Sequence, residues 1–230
     1  MPRELSIIIA PPERIQAIQE GRMTQFRQVI DLPADVQWRF LKWNDDGCAL
    51  FFTDTNPSHG AIIKPRYLVG DELWCKEIYG WAMNSHGHQC LCYKADDGPI
   101  EPQMMRLWDT EQKKWVLEET EESAWPPDKW NSSHCMPKDF ARLWRRVTAV
   151  KDPHQIQNIS EEDAIAEGIR IVHLPHKVTL YHVADWPDPM AADIPRGAFY
   201  NLWNRLHPKP GERWEDHPWV WPTVFERIER

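Results

Sequence analysis

The sequence predicts an α+β fold: a small mixed β-barrel of about five to seven short strands with two or three helices, decorated by long irregular insertions. Three observations lead there. Strand-like runs are short and bounded by turn clusters, two stretches carry helix start and stop signals, and the 230 residues include 14 Trp and 20 Pro. That is several times ordinary Trp usage and nearly twice a Pro share of about 5 %. Large flat rings among frequent breakers suit short strands and loops rather than a helical bundle.

The elements follow in order. Leu5–Ala10 is a short apolar run stopped by Pro11-Pro12, which reads as a buried strand. A helix starts at Pro12, repeats its apolar side at Ile15 and Ile18, and ends at Gly21. Thr24 to Ile30 returns as a strand. Residues 31–63 show no sustained period and contain two turn clusters, Asn44-Asp45-Asp46-Gly47 and Asn56-Pro57-Ser58, so they read as an insertion with room for a hairpin at Cys48–Thr53. Glu72–Trp81 is a strand, with Gln89–Ala95 as its hairpin partner. Residues 96–135 are polar and Pro-punctuated and read as a surface excursion. Met136-Pro137 leads into a short helix at Lys138–Ala141 and a strand at Leu143–Val150. Ser160, with Asp163 three residues on, opens a helix that Gly168 ends. Residues 171–197 are again Pro-rich. Ala198–Leu206 is a helix with Phe199, Leu202, Trp203 and Leu206 on one face, and Trp219–Ile228 is the closing strand. The chain reads as one domain, 1–230.

Charge and cysteine content bound the function. The net charge of −8 argues against coating duplex DNA by bulk charge. No apolar run approaches the roughly 18 residues of a membrane helix, and the first residues lack a secretory h-region, so a cytoplasmic protein without a membrane partner is expected. Five Cys, an odd number, fit a reducing compartment.

Few residues carry chemistry. Arg22 and Arg27, flanking Met23, Thr24 and Phe26 at the corner after the first helix, suit a phosphate or a base edge; cations there also complement a helix C-terminus. Glu167 places a carboxylate at the negative end of its helix, a broken local rule that points weakly to function, although an exposed Glu tolerates it. His86, His88, Cys90 and Cys92 would stand in line on one strand face about 6.6 Å apart, which does not close a tetrahedron around zinc, so no metal is expected. Arg142, Arg145, Arg146 and Lys151 surround Trp144 as a basic half-stripe, because strand alternation sends Arg145 and Arg146 to opposite faces. It could bind single-stranded nucleic acid or simply charge an edge strand. Nucleophile elbows, phosphate loops, G-x-G-x-x-G and H-E-x-x-H are absent.

Together these segments resemble the ASCH family of the PUA-like superfamily, in its phage and prophage branch. There the first corner reads G-R-K-T-x-T-R-R, a later strand G-D-x-L-W-V-R-E, and a helix I-S-E-E-D-A-x-x-E-G follows a Met-Pro. This chain has Gly21-Arg22-Met23-Thr24-Gln25-Phe26-Arg27, Gly70-Asp71-Glu72-Leu73-Trp74-Cys75-Lys76-Glu77, Tyr93-Lys94-Ala95, Met136-Pro137, Ile159–Gly168 and Trp219-Val220-Trp221. The resemblance implies a PUA-like barrel whose cleft receives RNA, single-stranded nucleic acid or a modified nucleotide, without a cofactor, in the host cytoplasm. Arg22, Met23, Thr24, Phe26, Arg27, Lys76 and Glu77 are then the binding residues. Some family members remove an acyl group from N4-acetylcytidine with a Lys, a Thr and a Glu, and others are ribonucleases. The Glu falls on Glu167, but Met23 and Phe26 occupy the Lys and Thr positions, and neither can move a proton. A binding module is therefore the leading expectation, a hydrolase using Glu167 with Lys76 or Arg22 the second, and a phage factor that binds a host protein through Trp-rich loops the third.

Overall fold

The computed structural model describes residues 2–8, 12–33, 36–53, 60–84, 86–96, 104–109, 114–119, 127–182 and 191–229. The N-terminal run forms β1 (Glu4–Ile8), followed by α1 (Pro12–Gln19) and β2 (Gln25–Val29). Next come β3 (Trp38–Trp43), β4 (Ala49–Thr53), β5 (Gly60–Ile63), β6 (Glu72–Lys76), β7 (Tyr79–Met83) and β8 (Gln89–Tyr93). β9 (Met104–Asp109), β10 (Lys114–Glu119), β11 (Trp130–Asn131), β12 (Trp144–Val150) and β13 (His154–Gln155) precede α2 (Glu161–Ala166). The chain ends with β14 (Arg170–Leu174), β15 (Val178–His182), α3 (Pro195–Leu206) and β16 (Trp219–Ile228). The fold is α+β with three α-helices among the described residues, and none of them is long and apolar enough to cross a membrane.

Sequence reasoning treats the chain as one domain; by its internal packing it divides into two compact units, residues 1–5, 17–73 and 144–230 in the first, 6–16 and 74–143 in the second. The first unit is organised by β16. Its edges pair antiparallel with β12 and β13 on one side and β2 on the other, within a six-stranded sheet that curls into a half-barrel. Strand alternation sends successive β16 side chains to opposite faces. Val220 packs with Ile156, Ile159, Ala164, Phe199 and Leu202 from the α2 and α3 side, while Trp221 packs with Ile30, Trp38, Ala49 and Phe51. α3 carries the expected face, with Phe199, Leu202 and Trp203 each at most 2 % exposed.

The segment 31–63 corrects the expectation of an irregular insertion. It holds a three-stranded antiparallel sheet, β3-β4-β5, whose inward residues Trp38 and Phe51 complete the Trp221 cluster. A bulge between Phe40 and Lys42 breaks the alternation of β3, which is why no period is readable there.

The second unit is a five-stranded antiparallel sheet in the order β10-β9-β8-β7-β11. β8 is buried on both faces: Leu91 and Tyr93 pack with Tyr79 and Met136, and Cys90 and Cys92 pack with Ala82. The predicted strand Glu72–Trp81 is interrupted, β6 ending at Lys76 and β7 starting at Tyr79. Between them the Glu77 amide donates to Met136 Sδ and the Glu77 carboxylate turns to Arg142, so backbone pairing gives way to a buried ion pair. The excursion expected at 96–135 contains the hairpin β9–β10, whose register sets Trp108 opposite Trp115; residues 97–103, 110–113 and 120–126 lie outside the described residues. Likewise 171–197 contains most of the hairpin β14–β15 and the first turn of α3.

Gly80 tests the packing of this unit. A Cβ there would lie 2.7 Å from Pro127 Cγ and 3.0 Å from the Lys129 carbonyl oxygen. Gly80→Ala is expected to lower stability by about 1–3 kcal/mol in urea unfolding, the usual cost of overpacking; an unchanged midpoint would contradict the close approach.

Candidate functional site

At the first corner the Gly21 amide donates to Ile18 O (3.1 Å) with φ 74°, the left-handed conformation glycine adopts without strain. The chain then runs against the end of α2. Thr24 N donates to Ala166 O (3.0 Å), and Met23 forms an isolated antiparallel bridge with Glu167. Ser160 caps α2 as expected, its hydroxyl accepting from Asp163 N at 3.1 Å, and Gly168 closes the turn at φ 100°.

Arg27 on β2 is the centre of the site. Its side chain is 0 % exposed; Nη1 donates to Glu167 Oε1 and Nη2 to Asp163 Oδ2, both at 2.7 Å. Lys151 adds the second cation, with Nζ 2.8 Å from Asp163 Oδ1 and 3.2 Å from Gln25 Oε1. Gln25 in turn donates to Asp163 O. The broken rule at Glu167 is thus offset by a buried guanidinium 140 residues away. Burial works to raise the Asp163 carboxyl, but Lys151 and Arg27 hold it below its ordinary value. Burial, helped by the Arg27 charge, pushes His154 below the ordinary imidazole value. His154 Nε2 and Arg27 Nε have no hydrogen-bond partner among the described residues.

This arrangement closes the corner. Met23 (1 % exposed) and Phe26 (4 % exposed) are core residues, Phe26 meeting Tyr67 edge-on and Phe225 tilted, so the expected stacking surface there is absent. Arg22 is held by Glu20 and by Gly168 O, and Thr24 is exposed. Two cations facing two carboxylates are charge-balanced, and Glu167 is only 2 % exposed. Lys76 and Glu77 lie in the second unit. Lys76 Nζ donates to His134 O and sits 5.2 Å from the Trp74 ring centroid; Glu77 is buried against Arg142.

The basic half-stripe is also committed. Arg145 is buried with its guanidinium on the Trp144 and Ile18 carbonyls, Arg146 reaches Glu72, Arg142 reaches Glu77 and Asp96, and Lys151 reaches Asp163. His86 and His88 are exposed while Cys90 and Cys92 are buried, and burial pushes the Cys92 thiol up to about 12, which disfavours the thiolate a metal needs.

What sequence reasoning missed is a cleft of about 800 Å³ in the first unit, lined by Ile30, Pro33, Trp38, Arg39, His217 and Trp219 among others. Trp38 is anchored by its indole N–H to Pro33 O (2.9 Å), and Trp219 packs edge-on against Phe51. Gln37, Gln155 and Asp216 add polar groups. The one available signal was the Trp38-Arg39-Phe40 alternation inside the segment read as an insertion. No family model, curated protein or solved structure matches the chain.

Proposed function

We propose that the chain is a PUA-like module of the ASCH kind, a phage or prophage accessory protein that binds a nucleotide or single-stranded RNA and does not hydrolyse N4-acylcytidine. The cleft carries this reading. Aromatic walls from Trp38 and Trp219 suit a base, and Arg39 at the rim suits a phosphate, with Gln37, Gln155 and His217 as hydrogen-bonding groups. The motifs of the first corner support the family assignment. The burial of Glu167 on Arg27 supports binding over hydrolysis, since a general base must reach the proton it takes.

Titration with cytidine and uridine monophosphate is expected to quench tryptophan fluorescence. Arg39→Glu is expected to weaken binding by about ten-fold or more, as loss of a charge-assisted phosphate contact predicts. Absence of binding by either nucleotide would refute the cleft. Turnover of N4-acetylcytidine that disappears in Glu167→Gln would make the protein an enzyme instead.

A further inference from the structure

The outward face of β3-β4-β5 lies in the same unit as the cleft and combines cations with exposed apolar side chains. In a protein of net charge −8, these three strands contain Arg39 and Lys42 and no carboxylate, and Lys64 follows directly after β5. The register builds two outward rows, Arg39–Phe52–Gly60 and Lys42–Leu50–Ile62. Ile62 is 70 % exposed. The Phe52 ring covers its cross-strand partner Gly60: a Cβ on Gly60 would lie 3.5 Å from Cε1 and 3.7 Å from Cδ1. A half-buried ring resting on a glycine, flanked by cations on the same sheet face, is a platform on which a base can stack while its phosphates meet Arg39, Lys42 and Lys64.

We propose that this face is a second contact surface, across which a single-stranded RNA continues after one of its nucleotides enters the cleft. Arg39 belongs to both, lining the cleft and heading the first row. The inference rests on the nucleotide-binding reading of the cleft. Charge selects the occupant: a polyanion matches an outward face whose strands carry cations only, whereas a second copy of this chain would bring the same cations against it.

The test compares cytidine monophosphate with an unstructured single-stranded RNA of about 12 nucleotides, a length within the site sizes of such platforms. The wild-type protein is expected to bind the RNA more tightly than the monophosphate. Lys42→Glu/Lys64→Glu is expected to remove most of that excess and to reduce the slope of log K against log salt by about 1.4, two single-strand phosphate contacts. Phe52→Ala is expected to weaken RNA binding by about ten-fold with the salt slope unchanged. Both variants should retain monophosphate binding and the wild-type circular dichroism spectrum.

RNA bound no more tightly than the monophosphate, or an excess that survives both variants, overturns the platform and leaves the cleft standing. Loss of monophosphate binding alone, with the RNA effects intact, overturns the cleft and keeps the platform. Concentration-dependent dimers that dissociate in Phe52→Ala, without RNA binding, would assign the face to self-association and overturn the proposal.

Discussion

Arg27→Ala is expected to cost about 3–5 kcal/mol of stability, because it removes the guanidinium that pairs with Glu167 in the interior. Arg27 is 0 % exposed and Glu167 2 % exposed, so the broken pair lies in the interior. Asp163 keeps Lys151 and is the more exposed of the two carboxylates, so its share of the loss is smaller. The pair itself is not the source of net stability: two buried ions lose hydration, and their attraction roughly returns it. Arg27→Met/Glu167→Leu is therefore expected to recover most of what Arg27→Ala loses. Urea unfolding of the two variants checks both statements; a loss below about 1 kcal/mol for Arg27→Ala would show that the cluster is hydrated. The pH dependence follows from Asp163. Its folded pKa is depressed, so its contribution is complete above the ordinary carboxylate range and is lost as the pH falls through the folded value.

Arg142→Ala is expected to have an effect of the same order, about 3–5 kcal/mol, in the second unit. Arg142 donates to both Glu77 oxygens and to both Asp96 oxygens, and its guanidinium carbon lies 3.9 Å from the Tyr93 ring centroid. Burial opposes the Arg142 charge, yet the two carboxylates raise its pKa above the ordinary guanidinium value. Burial raises Glu77, and Arg142 offsets only part of that. A raised carboxyl pKa means the native state takes up a proton more readily than the unfolded chain, so this stabilising contribution is present at low pH and lost as the pH rises through the folded value. Without Arg142 the Glu77 pKa rises further. The deficit of Arg142→Ala is therefore expected to narrow as the pH is lowered into the acid range, because a protonated Glu77 needs no counter-charge. A deficit that grows over that range would mean that Glu77 is not the stranded group.

The candidate sites were legible to different depths. Glu167 stood out because its charge opposes the helix end it occupies, and the compensating cation proved to be Arg27, a residue already marked in the corner motif. Their meeting was not readable, because 140 residues separate them and only the sheet and α2 bring them together. Met23 and Phe26 were readable as departures from a family pattern; that both are core was not, because an apolar side chain fits a wall of a pocket as well as an interior. The cleft was invisible for a related reason. Trp38 and Trp219 belong to distant segments, and the alternation around Trp38 extends over only three residues before the bulge in β3 ends it.

By itself the sequence determined what near neighbours decide. The opening strand and helix, the Ser160 cap, the glycine-ended turns at Gly21 and Gly168, the apolar face of α3 and the span Trp219–Ile228 all follow from alternation, capping and backbone freedom over a few residues. Tertiary structure decided what depends on a partner from far along the chain. The segment 31–63 becomes a sheet because Trp38 and Phe51 find Trp221 to bury against, and the strand from Glu72 breaks because Arg142 takes Glu77. Basic side chains that read as open to phosphate are taken up by carboxylates and carbonyls, because an ion leaving water needs a partner within hydrogen-bond distance, and the fold supplies one.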